Sequence, residues 1–133
     1  MTKEELILKA KEARELSYSP YSHFAVGAAL LTKDNEVFMG ANVENSSYPL
    51  SMCAERNALY NAYMHGKKKD DFVALALIAD TELPCSPCGA CRQVLSELFP
   101  KNTPIILANL KGDTKECTVE ELLPFAFSDS DLQ

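Results

Sequence analysis

Apolar and polar positions along this chain follow two different periods, one helical and one extended. Near the start, Leu6, Ala10, Ala13 and Ser17 share one face of a 3.6-residue repeat. Thr2 with Glu5 three residues on is a capping box, in which each side chain satisfies a free backbone N–H at the helix start. The pattern predicts a helix over 3–17, broken at Ser19-Pro20-Tyr21-Ser22. Residues 25–31 are small and apolar throughout and read as a buried strand. Lys33-Asp34-Asn35-Glu36 is a hairpin turn, and 37–40 is the returning strand. A polar loop over 42–51 leads into a helix over 52–65 that stops at Gly66. The run Phe72–Ala79 is uninterruptedly apolar and is the candidate central strand. A loop over 80–87, a helix over 88–98, strands over 104–108 and 115–118, and a short helix over 119–123 complete the reading.

This order of elements predicts an α/β fold, a three-layer α/β/α sandwich around a mixed sheet of about five strands. Two strand–helix–strand units predict right-handed crossovers between parallel neighbours. No repeat or linker divides the chain, so residues 1–133 are expected to form a single domain.

Charge narrows the range of partners. Thirteen basic residues against nineteen acidic ones give a net charge of −6. Nucleic-acid polymers are bound by cationic surfaces, so a polymer partner is not expected. The run Lys67-Lys68-Lys69 is followed at once by Asp70-Asp71 and reads as a solvated loop. The longest apolar run, Phe72–Ala79, is far short of the roughly 20 residues that cross a bilayer, so no membrane association is expected. The acidic start, Met1-Thr2-Lys3-Glu4-Glu5, has no apolar signal core behind it, which points to a cytoplasmic protein. Five cysteines in a reducing compartment are not a disulfide framework and need another explanation.

Three of them cluster in Pro84-Cys85-Ser86-Pro87-Cys88-Gly89-Ala90-Cys91, and a fourth opens the earlier helix as Cys53-Ala54-Glu55-Arg56. Cys88 and Cys91 stand one helical turn apart, so their sulfurs can grip one ion. Thiolates at a helix start are stabilised by free N–H groups and by the helix dipole. Alone, such a pair also fits a redox dithiol or plain packing. Glu55, two residues past Cys53, changes the balance. A structural zinc closes its shell with four protein ligands, whereas a catalytic zinc keeps a place for water. Three cysteines beside an unligated carboxylate describe the second arrangement. A shell closed by Cys85 would describe the first. Cys117 reads as a packed small hydrophobe. His23 and His65 lack ligand spacing to the cysteines.

Cys53-Ala54-Glu55 with Pro87-Cys88-Gly89-Ala90-Cys91 matches the zinc deaminase signature, with cysteine in place of the commoner histidine. More closely, the chain resembles small homotetrameric cytidine deaminases. The likeness runs through Tyr18 to Ala29, Asn42-Val43-Glu44-Asn45, Cys53 to Arg56, Pro87 to Gln93, and Glu121 to Phe127, nearly the whole chain. It implies a cytidine deaminase-like fold and one Zn²⁺ per subunit held by Cys53, Cys88 and Cys91. It implies hydrolysis of cytidine and 2′-deoxycytidine to uridine and 2′-deoxyuridine with release of ammonia, a step of pyrimidine salvage. Glu55 would be the catalytic proton shuttle between water, N3 and the leaving amine. Asn42 and Glu44 would hold the 3′-hydroxyl, and Phe24 would pack on the pyrimidine. Ala54 and Ser46 would contact substrate through backbone. Tyr48 and Phe127 would reach into a neighbouring subunit's site, so that the homotetramer shares its sites.

Three thiolates and one Zn²⁺ sum to −1, which weakens the metal as a Lewis acid. Arg56, three residues after Cys53, is placed to donate to thiolate and drain that charge, and Arg92 is a second candidate. Alternative readings are a deaminase of a modified cytosine nucleoside and a structural zinc module for assembly. The module has no use for Glu55.

Overall fold

The computed structural model describes residues 1–132. Five strands, β1 (Val26–Thr32), β2 (Val37–Ala41), β3 (Phe72–Ala79), β4 (Ile105–Asn109) and β5 (Thr114–Cys117), form one sheet in the order β2-β1-β3-β4-β5. Four helices accompany it: α1 (Lys3–Arg14), α2 (Ala54–Met64), α3 (Gly89–Leu98) and the short α4 (Val119–Leu122). The expected α/β/α layering holds. Along β1, Val26, Ala28 and Leu30 join a core with residues of α2 and α3, while Ala29 and Leu31 join a second core with Leu6 and Ala10 of α1. The period-2 alternation of a strand thus divides one apolar run between two layers. Phe72–Ala79 lies at the centre of the sheet, as its composition predicts.

The strand pairing departs from expectation in one respect. Only β3 and β4 are parallel neighbours. The other strand–helix–strand unit joins β2 to β3, and β1 lies between them, antiparallel to both. All seven residues of β1 are buried, and a strand buried along its whole length belongs inside a sheet. The hairpin therefore offers β1 to β3 and leaves β2 at the edge. As a result β2, β3 and β4 run in one direction, and α2, α3 and the β4–β5 turn all begin at the same end of the sheet.

Helix limits differ from the sequence reading at their polar ends. The capping box of Thr2 and Glu5 is present, but α1 stops at Arg14 rather than Ser17. The Ser17 hydroxyl donates instead to Asn42 Oδ1 at 2.6 Å, the competition with helix that serine side chains offer. Met52 pairs with Val43 in an isolated bridge, so α2 begins after Cys53, its N-cap. Cys88 is the N-cap of α3.

Two glycines set how closely helices approach the sheet. A Cβ on Gly27 would stand 2.0 Å from Ala10 O of α1, and one on Gly40 would stand 2.3 Å from Ala58 N of α2. Asn57 of α2 donates from Nδ2 to Ala41 O at 2.7 Å, pinning the same contact. Among the described residues no helix is long and apolar enough to cross a membrane.

Gly40→Ala must push α2 off the sheet. We expect a loss of about 1–3 kcal/mol in a denaturant titration, the usual cost of overpacking, together with weaker zinc retention.

Candidate active site

The cysteine site is built from two helix starts. Cys53 and Cys88 are N-caps with extended backbone, and neither makes a side-chain capping bond. Their sulfurs are therefore free to face each other, 3.9 Å apart. Cys91, in the first turn of α3, is 3.6 Å from Cys88, and all three sulfurs lie within 4.8 Å of one another. Sulfurs bound at about 2.3 Å to one tetrahedral zinc stand about 3.8 Å apart, so the spacing and soft donor set suit that ion. It is too wide for a disulfide, whose sulfurs are about 2.05 Å apart.

Without metal the thiols compete for protons. The Cys53 thiol is lowered to about 5, chiefly by the hydrogen bond from Cys91, with Arg56 adding to it against burial. Cys91 is raised by its bond to Cys53 and by burial. Arg56 donates from Nη2 to Cys53 Sγ at 3.4 Å, as the charge count on the thiolates anticipates. Its Nε is buried without a partner. Arg92 is placed differently: it donates to Pro87 O at 2.9 Å, Leu122 O at 2.8 Å and Ser86 Oγ at 3.0 Å, and to no sulfur. Cys85 is buried and outside the three-sulfur group, so the closed four-cysteine shell does not form. Burial, helped by the Glu55 charge, raises its thiol to about 11 and keeps it protonated.

Beside the sulfurs lies a cavity of about 300 Å³, lined by residues that include Phe24, Asn42, Glu44, Cys53, Ala54 and Glu55. Glu55 is only 5% exposed. Burial raises its carboxyl to about 7, with the Cys53 thiolate pushing the same way against the carboxyl's own backbone N–H. At neutral pH it is poised to hold or release a proton. Glu44 is the opposite case. It accepts from Tyr21 N at 3.1 Å, Ser22 N at 3.0 Å and the Ser22 hydroxyl. These bonds, the hydroxyl's first, lower its pKa and keep it ionised.

Asn42 Oδ1 accepts from Val26 N at 2.9 Å as well as from Ser17, and Nδ2 donates to Phe24 O at 2.7 Å. With both acceptor positions filled, Asn42 has one N–H left for a ligand. Ser46, Tyr48 and Phe127 do not line the cavity and are exposed. Cys85, weighed from sequence only as a fourth ligand, lines it, as do Ser22, Ser51, Met52 and Ser86, which were not singled out by sequence. Ser22 had a usable signal, a small polar residue two positions before Phe24. The others offered none, because they enter through loops.

A family model for the cytidine and deoxycytidylate deaminase zinc-binding region matches residues 1–107. The chain belongs to that family. Curated relatives agree. A cytidine deaminase of Halalkalibacterium halodurans is 55% identical over 99% of this chain and 98% of its own length. One of Sporosarcina psychrophila is 53% identical over 99% and 96%. In solved structures, cytidine deaminase from Burkholderia pseudomallei superposes with a TM-score of 0.94 at 50% identity, covering 96% of this chain and all of that one. The enzyme from Mycobacterium tuberculosis gives 0.81 at 36%, covering 96% and 98%. Zinc is the metal that the family region binds, and the Cys53, Cys88 and Cys91 cluster suits it.

Cys53→Ala, Cys88→Ala and Cys91→Ala are each expected to lose bound zinc, and Cys85→Ser to keep it. Metal analysis of the four purified variants decides; zinc loss in Cys85→Ser would restore the four-cysteine shell.

Proposed function

We propose that this protein carries out zinc-dependent hydrolytic deamination of cytidine and 2′-deoxycytidine to uridine and 2′-deoxyuridine, releasing ammonia. One observation carries the reading: a buried carboxyl, Glu55, faces a nucleoside-sized cavity beside three zinc-suited sulfurs, in a chain of the deaminase family. Cys53, Cys88 and Cys91 hold the metal. When bound, zinc supplies the Lewis acidity that makes water nucleophilic near neutral pH. Glu55 takes one proton from the water that adds to C4 and places it on pyrimidine N3, then takes the proton of the new C4 hydroxyl and passes it to the amine as the C4–N4 bond breaks. Its raised pKa suits both directions of transfer. Arg56 draws electron density from the Cys53 sulfur. The free N–H groups at the start of α2, Ala54's included, orient substrate.

Phe24 lies against the base. Asn42 donates to the ribose 3′-hydroxyl and the Glu44 carboxylate accepts from it, a pairing that leaves the 2′ position free and admits both sugars. The family description covers nucleosides and a nucleotide, and the lining favours a nucleoside. It holds two carboxyls, Glu44 and Glu55, and no Lys, Arg or His to face a 5′-phosphate.

The same reading takes residues 1–133 as one catalytic domain of a cytoplasmic homotetramer in pyrimidine salvage. Tyr48, Phe125 and Phe127 are exposed, and such aromatics gain from burial against a second subunit. In that assembly Tyr48 and Phe127 complete a neighbour's site, with Ser46 backbone at the 5′ end.

Loss of cytidine absorbance with matching ammonia release tests the activity. Glu55→Gln is expected to keep zinc and fold while losing about 10⁴-fold in rate, the upper range for one acid–base group used in several steps. Deoxycytidylate is expected to turn over at least about 100-fold less efficiently than deoxycytidine, the effect of an uncompensated phosphate beside two carboxyls. Near-normal turnover by the zinc-loaded variant would remove Glu55 from the chemistry. Light scattering is expected to give about four chain masses, and an active monomer would refute shared sites.

A further inference from the structure

Cys53 and Cys88 reach the metal centre by different routes. Cys53 caps α2, which Gly40 and Asn57 hold against β2. Cys88 follows the loop after β3, and its place depends on how that loop is fixed to the sheet. Arg92 braces Ser86 and Pro87, but it belongs to α3 and moves with Cys88 and Cys91. The ties back to the sheet come from the end of β4. Ala108 O accepts from Cys85 N at 3.1 Å, and Asn109 Nδ2 donates to Glu82 O at 3.2 Å.

Asn109 is 2% exposed and uses its whole amide. Nδ2 also donates to Asp113 Oδ2 at 3.0 Å, while Oδ1 accepts from Lys111 N at 3.1 Å and Asp113 N at 3.0 Å. One half of the side chain closes the β4–β5 turn. The other crosses to a loop 27 residues earlier in sequence. Between that anchor and Cys88 stand Pro84 and Pro87, whose fixed φ angles leave the segment little freedom. The Lys111–Glu82 ion pair over the same loop is exposed and adds little.

We propose that Asn109 is a positioning residue for the metal centre: its bond to the Glu82 carbonyl ties the 82–88 segment to β4 and sets where Cys88 stands relative to Cys53. It touches neither metal nor substrate and acts through the loop. The proposal rests on the zinc assignment above.

The test separates this tie from turn closure. Asn109→Asp keeps the acceptor for Lys111 N and Asp113 N but removes the N–H from Glu82 O. Adding Asp113→Asn supplies a new donor to the residue at 109 and so repairs the turn without repairing the loop. Zinc release from loaded protein to a chromogenic chelator is timed beside thermal unfolding. In Asn109→Asp, release is expected to be about tenfold faster, the scale of one buried bond lost. The double variant is expected to regain its unfolding midpoint while still releasing zinc about tenfold faster than wild type. Should Asn109→Asp fold poorly, the double variant alone carries the test. Release within twofold of wild type in either variant overturns the proposal. Wild-type protein that binds no zinc defeats the metal assignment itself, and the proposal with it.

Discussion

The direction of three strands governs this molecule's chemistry. Because β1 is buried throughout, it takes an interior place between β2 and β3, and β2, β3 and β4 then run the same way. Two helices that follow such strands must begin at the same end of the sheet. Their N-caps are Cys53 and Cys88, so two positive helix ends converge and carry sulfur. Reversing β2 or β3 would carry one of the two N-caps to the other end of the sheet and separate the thiols by about the length of a strand, roughly 16 Å for five residues. The glycines at 27 and 40 serve the same end by letting α1 and α2 lie directly on the strands.

Around that convergence the protein sorts two carboxyls into different states. Glu55, in the first turn of α2, is deprived of water and rises to about 7. Glu44, on the loop beyond β2, keeps three hydrogen bonds to Tyr21 and Ser22 and remains ionised. Environment separates their roles, one suited to moving protons and the other to accepting a hydroxyl. Charge on sulfur is moderated by the same helix ends and by Arg56, whose guanidinium reaches Cys53 from one turn along α2.

One wall of the cavity is assembled from short segments tied by polar contacts. Tyr18 pairs with Val43, and Val43 with Met52, so three loops meet as a small irregular bridge. Through it the 17–24 segment, the 42–44 segment and the start of α2 share one wall. Cys85 and Ser86, which also line the cavity, belong to a loop that hangs from β4 through Cys85 N and Ala108 O. The cavity can therefore be disturbed from a distance, by residues whose own side chains never face it.

Much of this was legible in the sequence because it is local. The capping box of Thr2 and Glu5, the apolar run of β3 and the spacing of Cys88 and Cys91 each act within a few residues, where periodicity and composition report physical geometry directly. The clustered Cys53, Cys88 and Cys91, the buried Glu55 beside them and the reach of Arg56 to a sulfur were legible for the same reason: each sits within one turn of a helix start. Other features depend on long-range pairing. Nothing near Asn109 reveals that its amide spans to Glu82, and nothing near Arg92 reveals that carbonyls rather than sulfurs take its donors. The place of β1 between β2 and β3, and the exclusion of Cys85 from the sulfur cluster, likewise depend on which surfaces must be buried together. Local sequence determined which elements form and which chemical groups stand at their ends. Tertiary structure decided which ends meet, because burial and hydrogen-bond satisfaction are properties of the packed whole.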